Sequence, residues 1–191
     1  MARAYTRIQH IELKGHQLKV IGELNNLRQD LTAVLCSQKC PGELILKAFD
    51  LAKQLRDDNH VVISGFHSPI EKAFFDILAR GTQPIVVCLA RNIDHYRIPV
   101  NLQPLLESRR LTIIAPDFPA TEHRITQGTA ERRNSLIFQI SDQVLVVYAQ
   151  PGGRLEKICT QNLPDKKNVY AIPSERNTHL FEQCVLKWRS I

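Results

Sequence analysis

The sequence has no apolar run near the roughly 20 residues that a membrane-spanning helix needs. It has no Gly-x-Gly-x-x-Gly and no Gly-Lys-Ser/Thr. Dinucleotide binding of the usual kind and P-loop hydrolysis depend on those turns to cradle phosphate, and both are set aside. Cysteine is sparse: five residues, an odd number without regular spacing. That suits a reducing compartment, and no Cys/His pair has the spacing of a zinc site. The basic start, Met1 to His10, runs on into polar residues and not into a signal-peptide core. The expectation is a cytoplasmic protein with no metal, no cofactor and no membrane contact. Internal repeats, low-complexity segments and linkers long enough to separate domains are also lacking.

What remains is a globular chain. Its 191 residues are 43% hydrophobic and 23% charged. A domain of this size buries roughly 70% of its unfolded surface and needs no disulfide or metal to fold. The formal charge of +6, from 25 Lys+Arg against 19 Asp+Glu, leans towards polyanionic partners such as nucleic acid or nucleotides.

Six short β-branched runs alternate with helical patterns. Leu31–Cys36, Val61–Gly65, Gln83–Leu89, Leu111–Ala115, Gln143–Ala149 and Val169–Ile172 read as strands covered on both faces. Leu44, Ile45, Ala48, Leu51, Ala52 and Leu55 recur at helical spacing after Pro41. Ser68-Pro69-Ile70-Glu71 is a capping box with proline at the first helical position, and Gly81 ends the helix it opens. Further helices are expected near Gln103–Arg109, Ala130–Ile140 and Gly153–Gln161. A last one, capped by Ser174, should reach Trp188 with Leu180, Phe181, Cys184, Val185 and Trp188 on one face. The pattern predicts an α/β protein, a doubly wound and mainly parallel sheet with helices on both faces. Residues 1–30 read as an extension packed on that domain, with short strands or a hairpin, and 31–191 as the domain itself.

In such a sheet the turns after the first, second and fifth of these strands share the carboxyl edge, where open α/β sheets bind ligands. They are Ser37–Gly42, Ser64–Glu71 and Gln150–Arg154. Each holds small residues and feeds a helix amino terminus, whose free N–H groups attract anions. Lys39, Lys72, Arg132, Arg133 and Arg154 are positioned in sequence to add charge.

The same residues carry a family resemblance. Leu31–Gln38, Val61–Gly65 with its helix, and Arg133-Asn134 followed by Ser141-Asp142-Gln143-Val-Leu-Val-Val resemble the Rossmann domain of DprA/Smf. That is the DNA-processing family of natural transformation, within the wider Smf/lysine-decarboxylase-like (LOG) superfamily. Gly22–Leu27 resembles the family's lead-in, and the likeness extends over roughly residues 20–173. It implies a Rossmann-like fold and a non-enzymatic single-stranded DNA binder that loads a RecA-type recombinase and dimerises. The three turns and the resemblance together give the expected ligand or phosphate contacts, Ser37, Gln38, Ser64, Gly65, His67, Glu71, Arg133, Asn134, Pro151, Gly152 and Gly153, with no catalytic residue. This chain reads as a stand-alone, diverged member. The family's Gly-Ser-Arg is here Cys36-Ser37-Gln38, and Ser135 replaces the second arginine of Arg-Asn-Arg.

Two alternatives stay open. Pro151-Gly152-Gly153 resembles the opening of the nucleoside-monophosphate phosphoribohydrolase (LOG) motif, whose Gly-Thr and glutamate are here Leu155-Glu156 and Cys159. Such a hydrolase would need Glu156 or Glu71 as its acid/base. A nucleotide-binding sensor without chemistry is the other. Cys36 and Cys40 flank the first turn as either packing or reactive thiols, and His67 either meets a ligand or caps the backbone. Arg91, Arg97, Arg109 and Arg110 are a solvated face or a DNA groove. Phe66, Tyr96 and Tyr148 are candidates to stack on bases.

Overall fold

A computed structural model describes residues 7–94, 96–163, 168–183 and 185–188. Cys184, named above, lies outside the described residues. The described chain forms one nine-stranded sheet in the order β1-β2-β6-β5-β4-β3-β7-β8-β9. Its strands are β1 (Gln9–Leu13), β2 (His16–Gly22), β3 (Leu31–Cys36), β4 (Val61–Ser64) and β5 (Ile85–Cys88). Then follow β6 (Leu111–Pro116), β7 (Gln143–Tyr148), β8 (Val169–Ala171) and β9 (Leu186–Lys187). From β6 to β9 every pairing is parallel. The Rossmann-like α/β fold expected from the sequence is the fold observed.

Among the described residues, three α-helices lie on each face. On one side lie α1 (Gly42–Asp57), α2 (Pro69–Leu78) and α3 (Gln103–Glu107), burying Leu44, Leu51, Leu55, Phe74, Leu78, Leu105 and Leu106. On the other lie α4 (Gln127–Ile140), α5 (Arg154–Asn162) and α6 (Thr178–Glu182), burying Leu136, Phe138, Leu155, Ile158 and Leu180. Strands β3, β4, β5 and β7 are buried at every residue between their ends because helices lie above and below them.

The antiparallel hairpin β1–β2 continues the sheet past β6, with β2 paired to it from Leu18↔Pro116 to Gly22↔Thr112. Its two-residue loop, Lys14-Gly15, has φ of +49° and +80°, the turn that matches strand twist. Lys14 Nζ then reaches across to Asp142 Oδ1 (2.7 Å) and the Ile140 carbonyl (2.8 Å). Asp142 Oδ2 in turn accepts the Leu31 N–H that opens β3 (2.8 Å). Ser141-Asp142 thus works at the amino edge of the sheet, opposite the ligand edge.

The carboxyl terminus departs from the sequence expectation. Ser174 caps a single 3-10 turn (Glu175–Asn177) and α6 stops at Glu182, so no helix reaches Trp188. Leu186 and Lys187 instead add the strand β9 beside β8. Val185 falls on the α6 side of the sheet while Trp188 packs edge-on against Tyr170 on the α1 side, 5.5 Å between centroids. Strand alternation divides these apolar residues between two faces, which one helical stripe cannot do. No described helix is long and apolar enough to cross a membrane.

Candidate functional site

Strand β3 has β4 on one side and β7 on the other, while the chain winds first towards β6 and only later returns to β7. The order therefore reverses between β3 and β7, and the carboxyl ends of those strands part there. The register adds to the gap: Leu35 faces Val146 but Cys36 faces Tyr148, so Val147 is an extra residue on β7. Fully buried Asn177, which the sequence analysis did not single out, donates through Nδ2 to the carbonyls of Val147 and Ile172 (both 3.0 Å). It satisfies polar groups that the local irregularity releases.

Above this gap is a cavity of about 530 Å³. Ser37, Gln38, His67, Glu71, Arg133, Asn134, Gly152 and Gly153, all named from the sequence, line it. Ser64, Gly65 and Pro151 do not. Ser64 is fully buried, and its hydroxyl accepts the Phe66 N–H (3.2 Å), fixing a turn in which Phe66 has φ of +46°. Pro151 is exposed outside the lining. Gly65 acts by what it lacks: a Cβ there would stand 2.1 Å from Arg133 Nη1 and 2.3 Å from its Cζ. The missing side chain lets the guanidinium lie against the end of β4.

Arg133 is the central cation. It is only 5% exposed, yet it lines the cavity. Its Nε donates to Asn134 Oδ1 (2.9 Å), a neutral acceptor that fixes the plane of the guanidinium. The other cations are committed differently. Arg132, expected near the site, turns away to pair with Glu122 (3.2 Å) and lie over the Phe118 ring (4.6 Å). Arg154 lines the cavity but pairs with Glu131 (3.0 Å). Arg91 lies 5.0 Å from the Tyr96 ring centroid. Arg110 donates to carbonyls of Leu78, Ala79 and Gln83 at the end of α2, so it is a helix-terminal cap and not part of a solvated basic face. Lys157 lines the cavity and was missed; it lies one turn into α5 from Gly153, a helical spacing that could have pointed to it.

Glu71 departs from its expected role. It is 4% exposed and completes the capping box by accepting the Ser68 N–H (3.1 Å). It also accepts the His67 N–H (2.9 Å) and, through Oε1, the Cys36 N–H at the end of β3 (3.0 Å). The amino terminus of α2, read from sequence as a place for a ligand phosphate, thus already holds a carboxylate of the chain. Glu156 behaves similarly, accepting the Gly152 N–H while Oε1 accepts from Gln183 (3.2 Å). Both carboxylates offered as stand-ins for a hydrolase acid/base are tied to backbone donors. No cluster of three or more metal-ligating side chains occurs among the described residues.

Cys36 and Cys40 meet at the rim. The neighbouring Cys40 sulfur, then burial and nearby negative charge, push the Cys36 thiol far above the usual thiol range. The Cys36 thiol in turn lowers the pKa of half-buried Cys40, whose Sγ lies 3.7 Å from the Pro41 carbonyl. Burial pushes Cys88 and Cys159 up to about 12. Cys40 should therefore be the first of these four to react with iodoacetamide, its rate rising at a pH below that of an ordinary thiol. Peptide mass spectrometry after brief labelling checks this, and equal labelling of Cys36 and Cys40 would contradict it.

No curated protein matches the chain. Among solved structures, DNA processing protein A from Helicobacter pylori, described for its unique single-stranded DNA binding mode, superposes with a TM-score of 0.73. It is 14% identical, over 96% of this chain and 91% of that one. DNA processing protein A from Streptococcus pneumoniae also gives 0.73, at 17% identity over 90% of this chain and 62% of its own. The molybdenum cofactor binding protein of Rippkaea orientalis gives 0.57, at 14% identity over 85% and 91%. At such identities these likenesses speak for the fold alone. The sequence profile of DNA recombination-mediator protein A matches residues 4–187, nearly the whole chain. The chain belongs to the DNA recombination-mediator protein A family.

Proposed function

We propose that this chain binds single-stranded DNA through a backbone phosphate held by Arg133 in the cavity at the carboxyl edge of the sheet. The observation that carries the reading is Arg133 itself, buried in the cavity wall and hydrogen-bonded through its side chain, among the described residues, to Asn134 and to no carboxylate. A guanidinium withdrawn from water is costly unless an opposite charge meets it, and a phosphate oxygen pair suits its planar fork. Lys157, Gln38 and Gln150 line the same cavity. Family membership supports DNA as the source of the phosphate. Transfer to a RecA-type recombinase, action as a homodimer and a cytoplasmic setting belong to the same proposal.

The test is fluorescence anisotropy of a labelled oligothymidylate titrated over salt. With Arg133, Arg154 and Lys157 as the lining cations, the log–log slope should be about −2. A salt-independent signal would overturn the reading. The cavity's size, about 530 Å³, falls within the range of roughly 300–1,000 Å³ typical of small-molecule sites. That favours a mononucleotide as the second reading, and displacement of the oligonucleotide by one nucleoside monophosphate at low concentration would select it.

Gly65→Ala gives a check that leaves every charge in place. The atoms an added Cβ would meet first all belong to the flexible end of Arg133. Affinity should fall roughly tenfold or more, while thermal stability changes by less than about 1 kcal/mol. Unchanged binding would mean that Arg133 does not hold the DNA.

A further inference from the structure

Glu71 does more than a capping box requires. A box carboxylate accepts the N–H of the capping residue, here Ser68. Glu71 also gathers His67 N–H and, from a different strand, Cys36 N–H, so three converging backbone donors lie 2.9–3.1 Å from its oxygens. Convergent amides at the first turn of a helix are the arrangement by which proteins hold phosphate. The helix in question, α2, has ten residues; its Glu71, and His67 just ahead of the cap, line the same cavity as Arg133. The cavity wall therefore contains two places suited to an anion. One is the buried Arg133 guanidinium, oriented by Asn134; the other is already filled by negative charge from the chain.

We propose that Glu71 is a resident anion that limits this cavity to one phosphate group at a time, making Glu71 the residue that sets its ligand class. The inference rests on the reading of Arg133 as the phosphate anchor. A monoester or an internal phosphodiester places a single phosphorus at Arg133 and leaves Glu71 undisturbed. A diphosphate or triphosphate carries a second charged group directly bonded to the first. That group would compete with Glu71 for the α2 amides or sit beside its charge, and like charges so close repel. The pocket so built accepts nucleoside monophosphates and DNA backbone and rejects nucleoside diphosphates and triphosphates, the abundant soluble nucleotides that would otherwise occupy a DNA site. Selection of this kind works through a repulsive element as much as an attractive one.

The experiment displaces labelled oligothymidylate from the full chain with inorganic phosphate and with pyrophosphate, at fixed ionic strength. For the unaltered protein, pyrophosphate should compete no more than about threefold better than phosphate despite its greater charge. In Glu71→Gln the carboxamide keeps one acceptor but loses the charge, and the preference for pyrophosphate should rise at least about tenfold. A tenfold preference for pyrophosphate in the unaltered protein, or a ratio unmoved in folded Glu71→Gln, overturns the inference. Should the variant fail to fold, the ratio in the unaltered protein still decides. Arg133→Ala separates the two claims: oligonucleotide binding that survives it overturns the phosphate anchor and the Glu71 inference with it. Binding lost in Arg133→Ala but no change of ratio in Glu71→Gln overturns only the latter.

Discussion

Replacing Arg133 with alanine is expected to weaken single-stranded DNA binding by roughly 10- to 100-fold. A hydrogen bond to a charged group contributes about 1.5–3 kcal/mol, and each 1.4 kcal/mol is tenfold. The salt slope should become shallower by about 0.7, because one cation no longer displaces a counterion. The fold should tolerate the change, since the side-chain hydrogen bond that is lost runs to Asn134, a half-buried neighbour. Lysine at this position should restore little: it keeps the charge but not the planar fork that Asn134 orients. Anisotropy titrations at three salt concentrations measure both effects together. Equal affinity of Arg133→Ala and the unaltered protein would move the DNA site elsewhere on the molecule.

The second large effect is on stability. Glu71→Ala removes the acceptor of three backbone N–H groups, those of Cys36, His67 and Ser68. An unsatisfied buried donor costs about 1–3 kcal/mol, and water entering the cavity can reach some of these, so a loss of about 3–5 kcal/mol is expected. For a protein of this length that lowers the melting temperature by roughly 10 °C. Chemical denaturation reads the loss directly, and a change below about 1 kcal/mol would mean that the carboxylate does not bind the strand end to the helix. The effect is larger than that of an ordinary helix cap because the bond to Cys36 joins α2 to β3, two elements that α1 and β4 separate in the chain.

The buried strands were legible because a two-sided sheet demands continuous apolar runs, and Leu31–Cys36 has the same bounds in sequence and structure. The capping box at Ser68 was equally plain, because its chemistry is local. The carboxyl terminus was not. Leu180, Phe181 and Val185 have helical spacing, but β8 offers an unpaired edge that claims Leu186 and Lys187, a tertiary demand invisible in the run itself. The site was legible in its place and only partly in its roles. The Arg133-Asn134 to Ser141-Asp142 block looked like one feature, yet α4 carries its two ends to opposite edges of the sheet. Whether a glutamate beside a helix terminus meets a ligand or turns inward depends on which donors converge there. For Glu71 the deciding donor, Cys36 N–H, lies 35 residues away.

The parallel pairing of β3 with β7 also governs when the site comes into being. Thr32 and Gln143, joined side chain to side chain, are 111 residues apart. Closing so long a loop is entropically slow, and topologies dominated by such pairings fold slowly. On a growing chain β3, β4, β5 and β6 can associate while β3 still presents one bare edge to whatever strand comes near. The cavity cannot exist until β7 fills that edge and α5 follows it, so the site proposed for DNA forms only after Asn162 has emerged. Refolding should show the same order, with binding competence arriving after most of the helical signal. A fragment ending ahead of β7 should aggregate instead of binding weakly.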